Sequence, residues 1–196
     1  MKSESASAQH DEKQGLSRRE FLKVGAGFSA VLACAGAVST LGGCSESTKL
    51  PAKNYRFLRE SDIALFSALA PAVVIDLAQL DAAARSARLG DVLDRIDSAC
   101  IALGMSSQQE LRKLFDLLAI APLRYLLAGV GAWNEASVEE LQNFLARWRG
   151  SRFATLNAGG NVLAKLVSTS YYILPATWPA SGYPGPLERM YKVVNS

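Results

Sequence analysis

The sequence predicts an all-α fold, a helical bundle of five or six helices with an irregular Pro/Gly/aromatic C-terminal segment. From residue 57 onward apolar residues recur at helical spacing, capping patterns punctuate them, and no alternating stretch is long enough for a strand. There are no internal repeats and no low-complexity segments, so the bundle is read as a single domain.

The elements follow in order. Ser61 is placed to cap a first helix carrying Ile63, Leu65, Phe66 and Leu69, which Pro71 ends or kinks before the apolar stretch 72–80. Leu89, Val92, Leu93, Ile96, Cys100 and Leu103 make a face of period 3.6, closed by Gly104. Ser107-Gln108-Gln109-Glu110 has the form of a capping box, opening a helix with Leu111, Leu114, Phe115 and Leu118 on one side. Pro122 restarts the chain near that helix's end. Ser137-Val138-Glu139-Glu140 is a second capping box, followed by Val138, Leu141, Phe144, Leu145 and Trp148, with Gly150 as the stop. A last helix from about Phe153 carries Leu156, Leu163, Leu166 and Val167 to Tyr171-Tyr172, and Gly159-Gly160 is a point where it can bend.

Beyond it the composition changes. Pro175, Pro179, Pro184 and Pro186 fall close together, and Tyr183-Pro184-Gly185-Pro186 puts Pro and Gly at the central positions of a type II turn. Trp178, Tyr183 and Tyr191 carry too much apolar surface for a solvated linker.

The chain has 196 residues, 49% hydrophobic and 20% charged, an ordinary globular composition. Its N-terminus is different in kind. A polar arm leads into Ser17-Arg18-Arg19-Glu20-Phe21-Leu22-Lys23 and then into the uncharged stretch 24–45, the order of a signal peptide. The motif residues Ser17, Arg18, Arg19, Phe21, Leu22 and Lys23 resemble the twin-arginine export signal, which is read by a translocase that carries folded cargo. An uncleaved transmembrane helix is the rival reading on length, but five glycines among alanines and serines leave the stretch only mildly apolar. Leu41-Gly42-Gly43-Cys44 resembles a lipobox, with Cys44 as the acylated residue, while Ala35-Gly36-Ala37 offers ordinary cleavage. The lipoprotein reading is favoured because several acyl chains anchor stably where one is marginal. Gly25-Ala26-Gly27-Phe28-Ser29-Ala30 fits a dinucleotide fingerprint by letter only, since no strand precedes it.

The expected organisation is therefore a signal over 1–43, a tether over 44–56 and a helical domain over 57–196. Cleavage before Cys44 removes five of the 21 basic and four of the 18 acidic residues, leaving a net charge of +2 on 153 residues. No basic run marks a nucleic-acid surface. The single histidine, His10, and Cys34 leave with the signal, so no Cys/His metal site, haem attachment, Ser-His-Asp triad or Cys-His dyad is available. No metal or cofactor is expected in this chain.

Three groups remain as candidates. Asp91, Asp94 and Asp97 fall near one helical face, and a solvated surface, with Asp91 paired to Arg95, accounts for them better than a cation site. Cys100 shares the phase of Ile96 and Leu103, which favours a buried inert thiol over a disulfide to another protein. Tyr171, Tyr172, Trp178 and Tyr183 can form a docking surface or fold over the bundle's own end, and the sequence leaves both open.

The twin-arginine motif, the small helical body and the ending Tyr171-Tyr172-x5-Trp178-x3-Gly182-Tyr183-Pro184-Gly185-Pro186 together resemble the small subunit of membrane-associated, FAD-dependent dehydrogenase complexes, of gluconate 2-dehydrogenase and sorbitol dehydrogenase type. Within the body, the likeness is carried by Phe57-x3-Ser61-Asp62. The resemblance implies a non-catalytic partner of a large FAD-dependent flavoprotein of the glucose-methanol-choline group, which oxidises a sugar, polyol or alcohol and passes electrons to a cytochrome c subunit. The small subunit would assist maturation of the large one, export it as a folded pair and hold it at the periplasmic side of the envelope. Tyr171, Tyr172, Trp178, Gly182, Tyr183, Pro184 and Gly185 are then the expected contacts with the large subunit. The alternative is a free-standing envelope lipoprotein acting as a binding or scaffold module.

Overall fold

The computed structural model describes residues 50–185. The export motif at 17–23, Cys44 and the residues after Gly185, Pro186 and Tyr191 among them, lie outside the described residues. Within them the fold is all-α, with eight helices and no strand. Six are substantial: α1 (Glu60–Val73), α3 (Ala82–Ile101), α4 (Met105–Ala119), α5 (Ala121–Ala128), α6 (Val138–Arg149) and α7 (Ala154–Tyr172). Two are single turns, α2 (Ile75–Gln79) and α8 (Trp178–Ser181), and a 3₁₀ turn at Pro175–Thr177 joins α7 to α8.

Several boundaries differ from expectation for identifiable reasons. Ser61 lies inside α1; the cap is Arg59, whose backbone N–H donates to the Asp62 carboxylate at 3.0 Å. Pro71 does not end α1, which runs on to Val73, because the hydrogen bond proline forgoes falls in the last turn and Ala70 and Ala72 are held in the core. Gly104 does not close α3 but precedes α4, so Ser107 sits within α4 and no capping box forms there. Gln108 instead turns back and donates to the carbonyls of Ile101 and Leu103, satisfying the end of α3. Leu103 is correspondingly more than one-third exposed rather than a core residue. The Ser137 box is present: Ser137 Oγ accepts from the Glu140 N–H at 3.2 Å, and the Glu140 carboxylate accepts from the Ser137 N–H at 2.8 Å. Gly150 stands at the C-cap of α6 as expected.

The core runs through α1, α3, α4, α6 and α7, with Phe66 edge-on to Phe115 at 5.3 Å and Phe144 to Trp148 at 4.9 Å. Side-chain bonds fix how the helices run. The Asp97 carboxylate, near the C-terminal end of α3, accepts from the N–H groups of Phe57 and Leu58 at 2.8 Å and of Arg56 at 3.1 Å. At the opposite end Gln142, early in α6, donates to Ala72 O, and Tyr171, at the end of α7, feels the charges of Asp76 and Arg88. The bundle thus has a tether end, where segment 50–58 enters, and an aromatic end, where α7 finishes. The 19 residues of α7 separate its termini by about 28 Å.

Gly159-Gly160 does not interrupt α7. A Cβ on Gly160 would stand 2.9 Å from Trp148 Cβ and 3.2 Å from the Arg149 backbone nitrogen, so the glycine lets α6 and α7 approach. Gly160→Ala is expected to lower stability by about 1–3 kcal/mol through overpacking. Gly90→Ala, in α3 with nothing within 4 Å of its added Cβ, should raise it by about 0.5–1 kcal/mol. Urea unfolding of the two variants checks the contrast.

Candidate partner-docking site

The aromatic end is built by three local devices. Thr177, buried, donates its hydroxyl to Leu174 O at 2.8 Å, folding the chain back after α7. Trp178 opens α8 and donates its indole N–H to Tyr172 O at 3.1 Å. Gly182, at φ +71°, ends α8 in the left-handed conformation that glycine adopts without penalty, and Tyr183 returns edge-on to the Trp178 ring at 5.3 Å. Gly185, at φ +94°, has the positive φ that the third position of a type II turn needs. It lies so close to Trp178 that a Cβ would meet the ring at 3.0 Å. Trp178 therefore organises the segment while only partly buried itself.

The structure brings the seven expected contact residues together but not onto one surface. Tyr172, Gly182, Tyr183 and Pro184 are exposed. Tyr171 is only 4% exposed, edge-on to Tyr172 at 5.2 Å, and belongs to the core. Burial, then the Asp76 charge, raises its pKa. Gly185 is buried against Trp178. The sequence reading missed Ile173, which is exposed beside Tyr172. Its position as the C-cap of α7, just past the last core-facing turn, was the available signal. The aromatic segment folds over the end of the bundle and leaves Tyr172, Ile173 and Tyr183 exposed.

The acidic triad separates. Asp91 and Asp94 are exposed, and no ion pair joins Asp91 to Arg95 among the described residues. Asp97 is buried, which corrects its reading as a solvated residue. Its carboxylate stands in for the missing backbone partners of segment 56–58. Beside it lies a second buried acceptor, Asp62, bonded to Arg59 Nε at 3.0 Å and Arg112 Nη1 at 3.2 Å. Arg59 also reaches Asp116 Oδ1 at 2.5 Å, and Arg112 lies 3.7 Å over the Phe57 ring while donating to Phe57 O. Burial lowers the Arg59 pKa, but the Asp62 and Asp116 carboxylates more than offset this and leave it raised. For Arg112, burial and the neighbouring Arg59 charge prevail and lower it. Every charged group here is engaged in holding segment 50–58 on the bundle, so the network is read as structural.

The inventory for chemistry is short. Among the described residues there is no histidine and no group of three or more His, Cys, Asp or Glu side chains able to hold a metal ion. No described helix is long and apolar enough to cross a membrane. A hollow of about 190 Å³ is lined by Ser61, Arg124, Trp133 and Asn134 with three alanines, and the buried Trp133 indole N–H has no hydrogen-bond partner among the described residues. The Arg124 guanidinium donates to Gly131 O. Cys100 is fully buried, and burial, then the Asp97 charge, pushes its thiol up to about 12. In the Cys34→Ala/Cys44→Ala chain, Cys100 is expected to react with a disulfide reagent at pH 8 only after denaturant is added. Reaction at the rate of a free thiol in native buffer would show that α3 opens.

Comparison with protein-family models, with curated proteins and with solved structures gives no match.

Proposed function

We propose that the chain is a non-catalytic accessory subunit that helps mature, export and anchor a FAD-dependent sugar, polyol or alcohol dehydrogenase of the glucose-methanol-choline type. One observation carries the reading. A motif resembling the twin-arginine signal, the address of folded cargo, stands before a domain whose aromatic end presents exposed Tyr172, Ile173 and Tyr183. A route for folded cargo suits a cofactor-loaded partner that lacks a signal of its own.

In this reading the FAD belongs to the large subunit, a cytochrome c subunit receives the electrons, and Cys44 carries the lipid that keeps the complex at the periplasmic face. The outer layer formed by Tyr172, Ile173, Tyr183 and Pro184 on the Trp178 support is the surface offered to the flavoprotein. Conservative replacement of the arginine pair, Arg18→Lys/Arg19→Lys, is the test. It is expected to leave both this chain and the flavoprotein in the cytoplasm, read as flavin-dependent dehydrogenase activity missing from the envelope fraction. A flavoprotein still exported normally would overturn the proposal.

A further inference from the structure

We propose that the tether end of the bundle, where α5 meets the last turn of α6, is a seat for an anionic phospholipid bilayer. The inference uses the lipidation of Cys44 only to bring the domain near a membrane and does not depend on the flavoprotein.

The surface is fixed by two bonds. Trp148 Nε1 donates to Leu127 O at 2.9 Å and Arg147 Nη2 to Ala128 O at 2.5 Å, which ties the end of α5 to the end of α6. Tyr125 and Leu126 on α5 are 69% and 76% exposed, and Phe153, just past α6, is 59% exposed. These are among the most exposed large apolar side chains described, and they stand beside a set of cations: Arg147, Arg149 and Arg152 are all exposed. Arg152 lies 5.3 Å from the Phe153 ring centre.

Acidic residues are missing from these segments altogether. None occurs over 117–134, which contains α5, or over 141–187, which contains the arginines. Of the acidic residues near the tether, Asp116 is paired with Arg59, while Glu60 and Asp94, whose charges reach Tyr55, and Glu135, next to the hollow-lining Asn134, are exposed outside these segments. Exposed aromatic and leucine side chains among arginines that make no ion pair among the described residues match the boundary of an anionic leaflet, where rings and alkyl groups enter the headgroup layer and each cation gains from the surface potential. A basic surface without such side chains would fit an acidic protein as well.

The tether explains why this end should face lipid. Ala52 is the first buried residue, eight residues after Cys44, so an acylated Cys44 holds the domain within about 28 Å of the bilayer even when fully extended. Arg124 and Ser61 border the same hollow, which places the start of α5 beside the start of α1, where the tether enters. The aromatic end lies along the bundle from there. Seating the tether end on lipid leaves that end clear of the membrane.

The test uses the full chain carrying Cys44→Ala, so that no acyl chain contributes, in sedimentation with vesicles of phosphatidylcholine containing 30% phosphatidylglycerol or none. The parent should prefer the anionic vesicles and lose that preference at 0.5 M salt. Adding Arg149→Glu/Arg152→Glu should lower partitioning onto anionic vesicles at least tenfold. The charge-matched control Arg95→Glu/Lys165→Glu, on the exposed faces of α3 and α7, should change it less than twofold. Leu126→Ser should weaken binding to both vesicle types. Residues 1–49 are common to all variants, so differences between them report the bundle surface. Equal binding by the parent and the double arginine variant would overturn the proposal. So would an equal loss with Arg95→Glu/Lys165→Glu. Failure of lipidation itself is a separate result, read as an unacylated Cys44 in the mass of the exported chain.

Discussion

Asp62→Ala should destabilise the domain by about 3 kcal/mol or more, with Asp62→Asn intermediate. The carboxylate is 1% exposed and is the common acceptor for Arg59 and Arg112, whose side chains are 9% and 27% exposed. Its removal leaves two poorly hydrated guanidinium groups facing each other, and breaking a buried pair by deleting one partner costs roughly 3–5 kcal/mol. The half-exposed Asp116 remains as a partner for Arg59, which holds the loss toward the lower figure. The consequence extends beyond the pair, because Arg112 also fixes the Phe57 carbonyl and ring. Segment 50–58 should therefore loosen first, seen as faster amide exchange at Phe57 and Leu58 before global unfolding. The Lys113–Glu110 pair, 2.9 Å apart, gives the contrast: Glu110→Ala, which leaves the one-third exposed Lys113 ammonium to solvent, should cost under about 1 kcal/mol. Comparable losses for both variants would show that the buried network has no special weight.

Trp178→Ala should weaken association with the proposed flavoprotein partner about 30-fold or more while leaving helicity intact. A central aromatic residue of an interface is worth about 2 kcal/mol or more on truncation. Here the loss has two parts. The ring itself disappears, and with it the support of Tyr183, of the Gly185 turn and of the Tyr172 carbonyl. The hydrophobic core does not include Trp178, so α1 to α7 should keep their far-ultraviolet signal and unfolding midpoint within about 0.5 kcal/mol of the parent. Retained binding with lost helicity would place the tryptophan in the wrong role. Tyr183→Ala should give a smaller loss, since it removes one exposed ring and leaves the indole in place.

The limits of sequence reading here are physical and specific. Period and capping were legible where the determinants are local: Ser137 and Glu140 are three residues apart and make their own box, and the Leu111–Leu114–Phe115–Leu118 face is buried as its spacing requires. Asp97 was not legible. Its burial depends on residues 56–58 folding back from 40 positions upstream to present their N–H groups, which no pattern within α3 announces. Asp62 and Phe57 were visible as part of a resemblance, but not as members of one charged network reaching Arg112 and Asp116 in α4. At the aromatic end, the proline and glycine positions predicted a turn, and Gly185 has the φ that turn needs. Which rings face inward was beyond reach, because Tyr171 and Tyr172 are adjacent and the phase of α7 alone separates core from surface.

The central claim, that this chain accompanies a flavoprotein, is tested most directly by affinity purification of the tagged chain from envelope fractions of its native host, followed by mass spectrometry and a flavin absorption spectrum. The account predicts a stoichiometric flavoprotein in the eluate, with an oxidised-flavin absorption spectrum that bleaches when a sugar, polyol or alcohol substrate is added and reduces the FAD. A colourless chain, recovered alone from the same membranes, would contradict it and leave a free-standing envelope lipoprotein in its place.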